Sequence, residues 1–119
     1  MKPTLVVGAS HRPEKYAYKA IQSLRFHGHP VVAFGRMKSQ VGDVTIEDTW
    51  DASWEVDTVT LYLNPQNQQG YYDQIIALKP KRVIFNPGTE NPEFEKMLRE
   101  ANIDCEIACT LVLLSIGQY

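Results

Sequence analysis

The stretch Leu5-Val6-Val7-Gly8-Ala9-Ser10, followed by Pro13 and then by Ala17, Ala20, Ile21 and Leu24, decides how this chain is read. An apolar run that ends in glycine, then gives way to apolar residues at three- and four-residue intervals, predicts strand, turn and helix. Pro13 lacks an N–H and suits the first turn of that helix, while Gly28 suits the left-handed residue that closes it. Pro30-Val31-Val32-Ala33-Phe34 predicts a second strand with Gly35-Arg36 at its carboxyl end. Two buried strands joined through one helix form a parallel βαβ crossover.

Further along, the same grammar repeats. Asp57 to Leu63 is rich in β-branched and aromatic residues, and Asn64-Pro65 signals a cap and first turn for a helix through Tyr71, Tyr72, Ile75, Ile76 and Leu78. Lys81 to Phe85 predicts another strand, with Asn86-Pro87-Gly88 as its turn. Asn91-Pro92 then opens a helix with Phe94, Met97, Leu98 and Ala101 inward, and Asn102 supplies a left-handed stop. Ile103 to Ile107 predicts a last strand. Val41 to Ile46 is expected to form a small strand, with Trp50 and Trp54 over the sheet edge. The tail Leu111 to Ile116 fits a short packing helix or an extra strand equally well. Strands that read as continuous apolar runs require helices on both sheet faces. The predicted fold is therefore α/β, a three-layer Rossmann-like domain with a mostly parallel sheet of about five strands.

Length and composition agree. The 119 residues, 44% hydrophobic and 22% charged, suit one domain spanning 1–119 and leave no room for a second. A formal net charge of -2 argues against a nucleic-acid surface, which would concentrate Lys and Arg on one face. No apolar span reaches membrane length and no secretory leader is present, so a cytoplasmic protein with no membrane partner is expected. Cys105 and Cys109, four apart without a second pair, match no zinc pattern and read as reduced thiols, most simply small buried hydrophobes.

In sheets of this kind ligands lie beyond the carboxyl ends of the strands, and the first turn feeds a helix whose amino end attracts anions. Gly8-Ala9-Ser10 occupies that place. Gly8 allows a sharp turn and Ser10 can donate to a phosphate or cap the helix; a purely structural turn would use the same residues. The dinucleotide fingerprint G-x-G-x-x-G is not met, since Gly8, Ser10 and Pro13 stand at its three glycine positions. Nor does the second strand end in the acidic residue that would face ribose hydroxyls. It ends in Gly35-Arg36 with Lys38 behind, either a solvated loop or a cationic site for a phosphorylated ribose, as in coenzyme A or NADP.

Val6-Val7-Gly8-Ala9-Ser10, then Pro13 and Tyr18, then Gly28 and a strand, resembles the opening of the small bacterial CoA-binding proteins, which are similar to the CoA-binding domain of the succinyl-CoA synthetase alpha chain. Gly42, Val56-Asp57, Pro87-Gly88 with Glu90-Asn91, and Cys109 extend the resemblance over nearly the whole chain. Phe34-Gly35-Arg36 departs from it, because the family usually reads Val-Asn-Pro and a basic residue there; Phe85 replaces a common tryptophan. The resemblance implies that Gly8, Ala9, Ser10 and Pro13, with Arg12 and Tyr18 beside them, surround the pyrophosphate of CoA or an acyl-CoA. It places Arg36 and Lys38 near the adenosine phosphate. Leu63, Asn64 and Pro65 would lie beside the adenine or the pantetheine arm, and Asn86, Pro87 and Gly88 would border the same cleft. A homodimer is expected from family habit.

Catalytic signals are thin. His11 reads as a loop residue, His27 and His29 as caps at a helix end, and Glu90, Glu93 and Glu95 as residues favoured by a helix dipole. A non-catalytic protein that binds CoA for sensing, carriage or regulation is the first expectation. A small NADP-dependent or acyl-transferring enzyme is the second, and an interaction module with a vestigial cleft, presenting Tyr62, Tyr71, Tyr72 and Phe94, is the third. Gly8→Val is expected to exclude ligand while the fold survives.

Overall fold

The computed structural model describes the whole chain, Met1–Tyr119. Its strands are β1 (Thr4–Ala9), β2 (Val31–Gly35), β3 (Ser39–Val41), β4 (Val44–Glu47), β5 (Thr58–Leu61), β6 (Arg82–Phe85) and β7 (Asp104–Ile107). The helices are α1 (Tyr16–Phe26), α2 (Pro65–Gln68), α3 (Tyr72–Ala77), α4 (Pro92–Glu100) and α5 (Thr110–Ser115). All seven strands form one sheet in the order β3-β4-β2-β1-β5-β6-β7, parallel throughout except for the β3–β4 pair.

The central strands are buried on both faces, which is why their sequences are continuous rather than alternating. Leu5, Val6 and Val7 are fully buried, as are Val59 and Leu61, and Val83, Ile84 and Phe85. On one face α1 and α5 cover Val6, Ala33 and Ile46 with Ala17, Ile21, Leu24 and Leu114. On the other, Ile75 of α3 and Phe94 and Leu98 of α4 cover Leu5, Val7, Val59, Leu61, Val83 and Phe85. Each large side chain so buried contributes about 1.5–3 kcal/mol.

The three-layer, mostly parallel architecture is as expected, with seven strands instead of about five. The difference lies in the segment read as one small strand, Val41 to Ile46. It is a hairpin, β3–β4, turning at Gly42 with φ of 57°. The tail is helical, α5. The helix expected from Pro65 through Leu78 is broken into α2, a 3-10 turn at Gln69–Tyr71, and α3; Gly70, a poor helix former, sits in the break. Pro13 lies outside α1. It sits in a turn closed by Lys15 N donating to Arg12 O at 3.0 Å, and α1 begins only after Lys15, whose backbone is extended. The tryptophans do not flank an edge strand. They pack on the face of the sheet against Phe34 of β2.

Asn102 and Gly28 take the left-handed conformation at their helix ends as expected, with φ of 63° and 83°. His27 caps α1, its Nδ1 lying 2.7 Å from the Ser23 carbonyl. His29 does not cap. Its Nδ1 accepts from Lys2 N at 3.0 Å, and its ring packs against Tyr119, which also lies over the Arg82 guanidinium.

Two buried amides tie the carboxyl ends of the strands together. Asn86, at the end of β6, donates from Nδ2 to Thr60 Oγ1 (2.6 Å) and Leu61 O (2.9 Å) and accepts from Thr110 N at 2.8 Å. Thr60 and Thr110 are themselves hydroxyl-bonded at 2.8 Å. Gln68, fully buried in α2, donates to Leu63 O and Thr89 O and accepts from Asn91 Nδ2. Every polar group of these two side chains is used, as burial requires.

In Asn86→Asp the carboxylate cannot donate to Thr60 or Leu61, so stability should fall by about 3 kcal/mol at pH 7. The loss should shrink toward pH 4, because burial raises the aspartate pKa and the protonated form regains a donor. Urea midpoints at both pH values check this, and an equal loss at both would refute it. For His29, burial first and then neighbouring positive groups, including His27, Lys2 and Arg82, hold the imidazole pKa below its ordinary 6.5. The folded chain then binds fewer protons than the unfolded one below about pH 6.5. Stability present above that pH should be lost as pH falls toward the depressed folded value, and His29→Gln should flatten the dependence. Parallel urea midpoints for the two proteins between pH 7.5 and 5 would exclude that role.

Candidate ligand-binding site

β1 is the central strand, and the chain leaves it for β2 on one side and returns to β5 on the other. That reversal is the topological switch point, where connections diverge and leave a crevice at the carboxyl edge. The crevice is bordered by the loops after β1, β2, β5, β6 and β7. Fourteen residues were expected to contact ligand. All but Tyr18 lie at this end of the sheet, at strand ends or on the connections that follow, and Tyr18 is in the first turn of α1, at the same end.

Gly8 sits at a bulge where the β1–β2 register shifts, with φ of 89°. A Cβ there would lie 2.9 Å from the Tyr62 carbonyl carbon and 3.1 Å from Leu63 N. The missing side chain thus serves the close approach of β5, and Gly8→Val would strain the fold as well as the crevice. That corrects the expectation that folding would survive the change. Gly35 is equally constrained, since its Cβ would come within 2.4 Å of Ala9 O.

Beyond Ala9 the chain runs through Ser10 to Lys15 before α1 starts. Ser10 Oγ accepts from Arg12 N at 3.1 Å, closing a local turn, so it does not cap the helix. Lys15, the residue at the cap position, makes no side-chain cap bond, and the first turn of α1 holds no acidic residue. The amino ends of α2 and α4 differ: Asn64 accepts from Asn67 N and Asn91 from Phe94 N, each followed by proline. The first-turn N–H groups of α1, unpaired within the helix by geometry, are left without a side-chain acceptor. His11, Arg12 and Lys15 stand exposed in the loop that precedes them, together with Glu14. Arg12 approaches Glu14 at 3.6 Å, a pair about two-thirds exposed on both sides and therefore weakly held. Tyr18 packs against the core under α1, its hydroxyl accepting from Gln22.

At the end of β2, Arg36 is exposed and makes no ion pair, whereas Lys38 is 3.7 Å from Glu47. After β5, Leu63 and Pro65 are half-buried and Asn64 is occupied as the α2 cap. After β6 the Asn86 side chain faces inward into its buried network, while Pro87 and Gly88 are exposed at the crevice rim. Gly88, with φ of 90°, donates its N–H to Glu90 Oε1. At the start of α4, Glu93 accepts from the Tyr72 hydroxyl and Glu95 pairs with Arg99.

Residues that the amino-acid pattern did not single out complete the frame. Gln68, Thr60 and Thr110 hold the loops after β5, β6 and β7 in place, and nothing in their local sequence marks them as buried. Tyr62 is mostly buried and its hydroxyl has no hydrogen-bond partner; burial, the largest influence, pushes the phenol pKa well up. Cys109 is a half-buried free thiol immediately before α5. Tyr72 and Phe94, stacked with centroids 4.4 Å apart, and Tyr71 belong to the packing over the sheet.

No helix is long and apolar enough to cross a membrane. Comparison with curated proteins yields no match. Among solved structures, the chain is similar to an uncharacterized protein of known crystal structure, with 51% identity, a TM-score of 0.97, and 100% of this chain and 98% of that one covered. It is also similar to a hypothetical protein from Pyrococcus horikoshii OT3, with 27% identity, a TM-score of 0.82, and coverage of 92% and 78%. A protein from Thermus thermophilus, described as cell-free ID.343, shares the fold at 24% identity, with a TM-score of 0.87 and coverage of 99% and 90%. Residues 2–115 match the CoA binding domain family, and with a switch-point crevice under a parallel sheet the chain belongs to that family.

Proposed function

We propose that this protein binds coenzyme A or an acyl-CoA in the switch-point crevice as a non-catalytic binding, sensing or carrier protein. The observation that carries this reading is the amino end of α1. It is the one long helix start whose first turn lacks both a side-chain cap and an acidic residue, and the exposed loop before it carries His11, Arg12 and Lys15 with a single carboxylate, Glu14. A diphosphate supplies the missing acceptors and the negative charge that the helix dipole favours. Ser10 and the Gly8-Ala9 backbone form the floor of that site, Pro13 keeps the loop turned, and Tyr18 backs it from α1.

Arg36 is the free cation for the adenosine 3′-phosphate, since Lys38 is already opposed by Glu47. Leu63 and Pro65 line the wall on the β5 side, and Pro87 and Gly88 the wall on the β6 side. Asn64 and Asn86 act through position: one caps α2 and the other locks the β6 turn. Catalysis would call for an acid–base or nucleophile–base pair in reach of the ligand. The carboxylates nearest the rim are instead committed to Gly88 N, Tyr72 and Arg99, which favours binding over turnover.

Thermal unfolding with a ligand panel tests the proposal. CoA at a hundredfold excess over its Kd should raise Tm by roughly 10 °C. Dephospho-CoA should act more weakly, NAD and NADP hardly at all, and Arg36→Ala should erase the difference between CoA and dephospho-CoA. A shift with NADP alone would replace this reading with the oxidoreductase one, and equal shifts for CoA and dephospho-CoA in the unaltered protein would remove Arg36 from the phosphate.

A further inference from the structure

From Ile107 to Tyr119 the chain has no charged side chain, although 22% of its residues are charged. That stretch contains α5, and α5 is apolar on every side. Only Thr110 and Leu114 are buried, and Leu114 is the helix's one member of a core cluster. Leu111 and Leu113 are half-buried outside both clusters. Val112 is 52% exposed and Ile116, just past the helix end, 60%; four residues apart, they share one side of the turn. A helix that is apolar all round belongs in an interior, but here only the side toward the sheet and α1 is covered. Single exposed apolar residues need no explanation, whereas several on one short uncharged segment do.

The flanks of this surface carry opposite charges. α5 lies over β5 and β6, since Thr110 bonds Thr60 and Asn86 and Tyr119 covers Arg82. On one side it packs beside α1, where Lys19 is exposed. On the other side is the edge strand β7. Arg82 donates to Glu106 there, which puts Glu106, and by strand alternation the exposed Asp104, on the same sheet face as α5. Neither Lys19 nor Asp104 forms an ion pair within the chain. We propose that a second copy of this chain covers α5, in a dimer whose two-fold axis runs parallel to the helix. Such an axis brings Val112 and Ile116 against their own counterparts and sets the Lys19 side of each copy opposite the Asp104 side of the other. An uncharged centre between rims of opposite sign is suited to a protein partner. Pairing of β7 with its own copy is the competing route to a dimer, but Asp104 and Glu106 guard that edge, where like charges would meet. Anionic lipid would be repelled by the same acidic flank.

Sedimentation velocity of the full chain over a wide concentration range tests the proposal. The unaltered protein should pass from monomer to dimer, and Val112→Glu should raise the dimer Kd by about thirtyfold, because an apolar partner face cannot satisfy a buried charge. Val112 already stands half in solvent, so the single chain tolerates the change. At low salt Lys19→Glu and Asp104→Lys should each weaken the dimer about fivefold. The double exchange Lys19→Glu/Asp104→Lys should return the Kd to within about twofold of the parent, a recovery that no folding defect produces. A monomer at every concentration would overturn the proposal, as would a dimer indifferent to Val112→Glu. A dimer broken by Val112→Glu but unmoved by either charge reversal, or not restored by the exchange, would overturn the proposed axis. Monomers that bind phosphatidylglycerol vesicles through Val112 would overturn it in favour of a membrane surface.

Discussion

Everything at the ligand end of this molecule depends on how closely three strands converge there. The end of β1 lies against β2 at Ala9 and Gly35 and against the chain leaving β5 at Gly8, Tyr62 and Leu63, at distances where a Cβ would collide with backbone. Two glycines make that convergence possible. Gly8 also takes a left-handed backbone conformation that ordinary residues adopt only at a cost. The same convergence bulges the strand, turns the following loop away from the sheet and sets where α1 begins. The crevice is thus a by-product of strand packing.

Its walls are then stiffened from inside. Asn86 and Gln68 each spend all their hydrogen-bonding capacity on neighbouring loops, and both are buried where an unpaired amide would be costly. Such networks hold backbone in place without presenting side chains to solvent, so the rim exposes Pro87 and Gly88 while the amide behind them stays hidden. Residues near a ligand thus divide into those that touch it and those that hold the touching residues still. The proposed division puts Arg36 and the α1 loop in the first group and Asn64, Asn86 and Gln68 in the second.

The contrast between helix starts ties architecture to function. α2 and α4 are finished locally, by asparagine and proline, and need nothing further. α1 is preceded by an extended lysine with no cap bond and by an exposed loop that holds Arg12 against Glu14. An exposed helix end of this kind can be completed by water or by an anion. Membership in the CoA binding domain family suggests a CoA ligand, whose diphosphate the proposal seats there.

The amino-acid sequence by itself determined the layered α/β fold, since apolar runs, helix periodicity and the Asn-Pro starts are local signals that survive without tertiary context. It also marked the crevice, because glycine and serine after a first buried strand have few other places to be. What it could not determine was side-chain commitment. Whether Asn86 faces ligand or core, whether Ser10 caps α1 or its own turn, and that Gln68 is buried depend on neighbours distant in the chain. The split of Val41 to Ile46 into a hairpin depended on β2 offering β4 a parallel partner, and the gathering of Trp50, Trp54 and Tyr71 on Phe34 on three segments meeting in space. Only the tertiary structure decides such matters, because hydrogen-bond saturation and close approach are properties of pairs that local periodicity does not encode.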